Sequence, residues 1–103
     1  MLEPYLMKIN YVGPPAGDYK RIVQKKHDMY FVIWYLQARD IRYNVSGPPV
    51  LIAATALLAE KANQQIDKDF TQDIIRELKL PETLHHHVFF TQKALIKLVT
   101  LHH

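Results

Sequence analysis

The chain has 103 residues, of which 49% are hydrophobic and 22% charged, with no cysteine and a formal net charge of +3. That length suits one domain with one core, and a half-apolar composition argues against disorder. The missing cysteine excludes disulfides, thiolate catalysis and zinc–thiolate sites, and it fits a cytoplasmic location.

Met1 to Asn10 has neither the basic start nor the apolar length of a signal peptide. The positive charge is uneven. Met1 to Ser46 carries seven Lys or Arg against four acids, whereas Gly47 to His103 carries six of each. The basic character therefore belongs to the N-terminal half.

In chain order, Leu6 to Val12 alternates apolar and polar positions, the period-2 pattern of a half-buried strand. Gly13-Pro14-Pro15-Ala16-Gly17 stops it. Asp18 is placed to cap a short helix over Tyr19 to Lys26, the favoured reading, with a strand of its own as the alternative. Lys25-Lys26-His27-Asp28 then reads as a turn into Met29 to Leu36, the most apolar and aromatic run in the chain.

Ring and β-branched side chains lose rotamer freedom in a helix, so this run reads as a central strand over Met29 to Gln37. The rival is a helix from Asp18 to Asp40, which would make the chain an all-α bundle. Such a helix would be apolar all round and would need enclosing on every side, which a chain of this size does poorly. A membrane span needs about 20 apolar residues, and Asp28 and Gln37 bracket this run. Ile41 to Val45 alternates again and suits a hairpin with the aromatic strand.

Beyond Ser46-Gly47-Pro48-Pro49 the character is helical. Val50 to Gln65 is rich in Ala and Leu, with Val50, Ala54, Leu57, Leu58 and Lys61 on one face. Asp69-Phe70-Thr71-Gln72 has the form of a capping box, and Phe70, Ile74 and Leu78 make an i, i+4, i+8 stripe. Pro81 ends that helix, and Glu82 opens a last one to Leu101 that buries Leu84, Val88, Thr91, Leu95 and Leu98. The expected architecture is a single α+β domain, strand-rich over 1–46 and helical over 47–103, with about three strands covered by three C-terminal helices.

Two surfaces are candidates for function. Lys20, Arg21, Lys25 and Lys26 lie within seven residues without an acid between them, and Arg39 and Arg42 join them if the strands lie side by side. Such a patch can neutralise phosphates, which points to nucleic-acid binding. On the last helix, Phe89, Phe90, Ile96 and Val99 carry the apolar surface past one stripe and predict an interface, with self-association as a homodimer.

No metal or other cofactor is expected. His85, His86 and His87 are consecutive, so on a helix their side chains fan out by about 100° per residue and do not converge on one ion. Glu82 and His85 form half of a helical di-iron motif, but no second copy exists. A helix-turn-helix over Thr71 to Val99 lacks an arginine on its second helix and has an acidic first one. The three glycines form no phosphate-cradling pattern, and no nucleophile has a suggestive neighbour. These readings favour a non-enzymatic module that binds the surface of a larger protein, as an adaptor, inhibitor or accessory factor. Nucleic-acid binding is the alternative.

Overall fold

The computed structural model describes residues 17, 19–27, 30–37, 40–66 and 68–101. Three antiparallel strands, β1 (Lys20–Lys26), β2 (Tyr30–Gln37) and β3 (Asp40–Ser46), form a sheet in the order β1-β2-β3. Helices α1 (Pro49–Ala62), α2 (Thr71–Leu78) and α3 (His85–Leu101) follow, with a 3-10 turn at Glu82–Leu84 leading into α3. The fold is α+β, and the all-α alternative is excluded by β2, the central strand that the aromatic run forms.

The first strand of the sheet is a correction. Tyr19 to Lys26 reads from sequence as a helix, but Lys20–Lys26 is a strand paired with β2 from Lys20↔Leu36 to Lys26↔Tyr30. Adjacent β-branched Ile22 and Val23 tip the local balance, and the pairing with β2 decides it. The other predicted strand, Leu6 to Val12, and the capping role of Asp18 lie outside the described residues. Gln37 pairs with Asp40 and Trp34 with Tyr43, the hairpin that the spacing predicts.

Pairing sorts every strand residue onto one of two faces. Ile22, Val32, Trp34, Leu36, Ile41, Tyr43 and Val45 face the helices, with Val32 and Trp34 fully buried. Arg21, Val23, Lys25, Phe31, Ile33, Tyr35, Arg42 and Asn44 share the opposite face. The run is thus buried most deeply on its helix side, at Val32 and Trp34, with Tyr30 and Leu36 half-buried at its ends. On the other side, Tyr35 is buried with Tyr19 set edge-on against it at 5.1 Å, while Phe31 and Ile33 are half-buried.

α1 packs on β3, α2 and α3, and it is buried nearly all round: Leu51, Ala53, Ala54, Thr55 and Leu58 have essentially no exposure. The one-face reading of this helix is therefore too narrow. Its alanines let three neighbours approach closely, so no side needs to be polar. Pro48 and Pro49 open it, Pro being suited to a first turn whose N–H groups have no partner. Just past its end, the Asn63 side chain accepts from the Ile41 main-chain N–H at 2.9 Å and donates to the Ile41 carbonyl at 3.4 Å, tying the start of β3 to α1.

The Phe70, Ile74 and Leu78 stripe is buried as read. The capping box is not formed. Asp69 accepts from the Thr71 N–H at 2.8 Å, Gln72 is exposed, and the Phe70 N–H is taken by Gln92 Oε1 of α3 at 3.0 Å. α2 ends in a Schellman-type turn, with Lys79 left-handed at φ 54 and the Leu80 N–H bonded to the Ile75 carbonyl. In α3, Val88, Thr91, Leu95 and Leu98 are buried, and Leu84, in the 3-10 turn, is half-buried.

Candidate interaction surfaces

α3 is where the predicted interface lies. Positions 89, 93, 96 and 100 follow one another at helical spacings of four and three, so they share one side of the helix. All four are exposed, and Phe89 and Ile96 remain 50% and 47% accessible, the two most exposed large apolar side chains among the described residues. Of the other predicted interface residues, Phe90 is half-buried and packs against the core. Val99 is half-buried and lines a shallow groove of about 270 Å³ with Ile66, Lys68, Asp69, Ile96 and Thr100. The four residues thus do not form one surface: three border the outside of α3, and Phe90 supports it from within.

The basic cluster divides in the same way. Arg21 and Lys25 flank Val23 on the outer face of the sheet, while Lys20 and Lys26 point to the helix side. Arg42 shares the outer face, where its Nε lies 3.0 Å from an Asp40 oxygen. Both groups of that pair are about half exposed, so it contributes little to stability. Arg39 lies outside the described residues. Val23, Lys25, Tyr30, Phe31 and Ile33 line a second shallow cavity of about 300 Å³ at this end of the sheet.

Two cations that the sequence reading did not assign to a patch, Lys93 and Lys97, belong with β1. Lys97 Nζ donates to Gln24 Oε1 at 3.0 Å, which sets this side of α3 against the edge of the sheet. Neither β1 nor the 17 residues of α3 contain an acid. The acid-free composition of α3 is legible in sequence. Its juxtaposition with β1, about 70 positions away, is not.

Ion pairs elsewhere cluster around α2. Lys61 pairs with Glu77 at 3.0 Å, and Asp73 with Arg76 at 3.2 Å and Lys68 at 3.7 Å.

At the N-terminal end of α3 the histidines are closer together than the fan-out argument allows. His86 and His87 rings lie 3.9 Å apart between centroids, and His87 is also 6.2 Å from the Tyr30 ring. His85 turns away, with Nε2 3.1 Å from the Leu80 carbonyl. Burial, then the charges of His86 and Lys26, hold the His87 pKa below the usual imidazole range. Among the described residues no group of three His, Asp or Glu could hold a metal ion, and no helix is long and apolar enough to cross a membrane.

No family model and no curated protein matches this chain.

Proposed function

We propose that the protein is a small non-enzymatic interaction module that acts by binding a larger protein through the outer face of α3. The observation that carries this is the pair Phe89 and Ile96: two large apolar side chains about half exposed, two helical turns apart on a side that no described element covers. Leaving roughly half of each in water forgoes burial worth about 25 cal/mol per Å², a cost that a partner recovers. Several described groups capable of acid–base chemistry are engaged structurally: Asp69 on the Thr71 N–H, Asp73 and Glu77 in ion pairs, and His85 beside the Leu80 carbonyl.

Self-association through this face is disfavoured. A symmetric antiparallel pairing of α3 centred near Lys93 sets that lysine against its own copy, with no acid on α3 to answer it. A different protein is therefore the favoured partner.

The test is a photo-crosslinking amino acid at position 89 in the full chain, expressed in the cells that make it, with the same group at exposed Gln72 of α2 as control. A discrete protein adduct from position 89, and not from 72, is expected. Equal labelling from both, or none from 89, overturns the reading, and an adduct of twice the chain mass converts it to a homodimer.

A second reading, nucleic-acid binding, draws support from Arg21, Lys25 and Arg42 sharing the outer sheet face around Val23 and Phe31. Cations beside apolar and ring surface are what a single strand needs. It predicts oligonucleotide binding that falls steeply with salt and is lost in Arg21→Glu/Lys25→Glu. Binding that survives this double change retires it.

A further inference from the structure

The exposed side of α3 has two borders of different chemistry. Toward the loop before α2 lie Ile96 and Val99, with Ile66 across the groove, and exposed Phe89 precedes Ile96 by two helical turns on the same side. Toward β1 lie Lys93 and Lys97, with Lys97 bonded to Gln24. Lys26 extends that border at the other end of α3, since it pairs with Tyr30, whose ring lies 6.2 Å from that of His87. All three lysines are exposed, and neither element that carries them has an acid.

We infer that α3 and the edge of β1 form a docking strip for an acidic amphipathic helix of the partner, its apolar residues on Phe89, Ile96 and Val99 and its carboxylates on Lys26, Lys93 and Lys97. This rests on the reading that the face binds protein. Charge complementarity selects the occupant: three cations along one edge of an apolar stripe match a helix with Asp or Glu beside its own apolar stripe. Phe89 to Ile96 spans about 10 Å of helix axis, enough for the i, i+3, i+7 anchors of such a segment.

Nucleic acid fits the strip less well. Of the three apolar residues of the strip, only Phe89 offers a ring plane for base stacking, whereas Ile96 and Val99 offer none. A second copy of this chain fits less well too, because the acids of its α2 are already paired with Lys61, Lys68 and Arg76.

The experiment titrates the intact chain into a fluorescein-labelled synthetic helix of roughly 16 residues, with Leu at i, i+3, i+7 positions and Glu on the flanks. Controls are the same peptide with Gln for Glu, a scrambled Glu–Leu peptide and a labelled oligo-dT. The acidic amphipathic peptide is expected to bind at least about tenfold more tightly than either peptide control, a difference of ~1.4 kcal/mol. That advantage shrinks as salt rises from about 0.05 to 0.3 M.

Lys93→Glu/Lys97→Glu, at two exposed sites, is expected to weaken binding at least about tenfold while the chain keeps its native far-UV circular dichroism, and Ile96→Glu to do the same. Equal binding of the Glu and Gln peptides, or no peptide binding, overturns the inference. So does oligo-dT binding more tightly than the peptide and being lost in the lysine variant, which would make the strip a phosphate surface. A position-89 adduct without peptide binding removes the acidic helix and leaves the protein interface standing; loss of both removes both.

Discussion

The indole Nε1–H of Trp34 donates to the main-chain carbonyl of Thr91 at 3.3 Å, joining the middle of β2 to the middle of α3 across 57 positions. Both residues are fully buried, and the Trp34 ring also leans on Tyr43 of β3 at 5.7 Å between centroids. A buried indole needs an acceptor, and α3 supplies it at Thr91. The bond therefore fixes where the rest of α3, including its exposed side, is carried.

Trp34→Phe removes that donor and leaves a void. A loss of about 1–3 kcal/mol is expected, read as a lower urea midpoint by far-UV circular dichroism. A change below about 0.5 kcal/mol would mean that Trp34 does not anchor α3.

Gln92 is buried in α3, and its Oε1 accepts the Phe70 N–H at 3.0 Å, replacing a side-chain cap at the start of α2. Gln92→Leu leaves that buried N–H without an acceptor, at a cost of about 1–3 kcal/mol. Faster hydrogen exchange at the Phe70 amide should accompany the loss. Unchanged exchange there would show that another acceptor is used.

Gly47 has φ +150, and a Cβ placed on it would come within 2.8 Å of Leu51 Cδ2 and 3.3 Å of Tyr30 Cδ1. Gly47→Ala combines an unfavourable backbone region with overpacking, so it should cost about 1–3 kcal/mol. Thermal unfolding of the variant checks this, and a neutral effect would place the β3–α1 connection elsewhere.

His87 makes stability depend on pH. Burial disfavours its imidazolium first, and the neighbouring His86 and Lys26 add to this. The positive end of α3 acts in the same sense. With the folded pKa lowered, the unfolded chain takes up this proton more readily. The stability contributed by neutral His87 is complete above the ordinary imidazole value of about 6.5 and is lost as pH falls from there toward the folded pKa. The urea midpoint should drop between about pH 7.5 and 5.5, and His87→Leu should flatten that drop. An identical slope in the variant would assign it to other groups.

The sequence by itself determined the class of this protein and most of its elements. A run as rich in rings and β-branched residues as Tyr30 to Leu36 favours a central strand over the rival helix, because a helix of that composition has no side to give to water. The Ala- and Leu-rich stretch after Pro49, the Phe70, Ile74, Leu78 stripe and the buried positions of α3 were equally legible, since local periodicity records which side of an element meets the core. So was the surplus of apolar side chains on α3, although not that Phe90 belongs to the core and Phe89 to the surface.

Tertiary structure decided what depends on a neighbour distant in sequence. Lys20 to Lys26 has the charges of a solvated helix turn and became a strand because β2 offered a partner along its whole length. The capping of α2 went to Gln92 because α3 brings a buried amide to that end. The four cations of β1, adjacent in sequence, went to opposite faces because successive side chains on a strand alternate. Lys93 and Lys97 joined the helix-side pair only because α3 crosses beside β1, a proximity that no local pattern in either segment encodes.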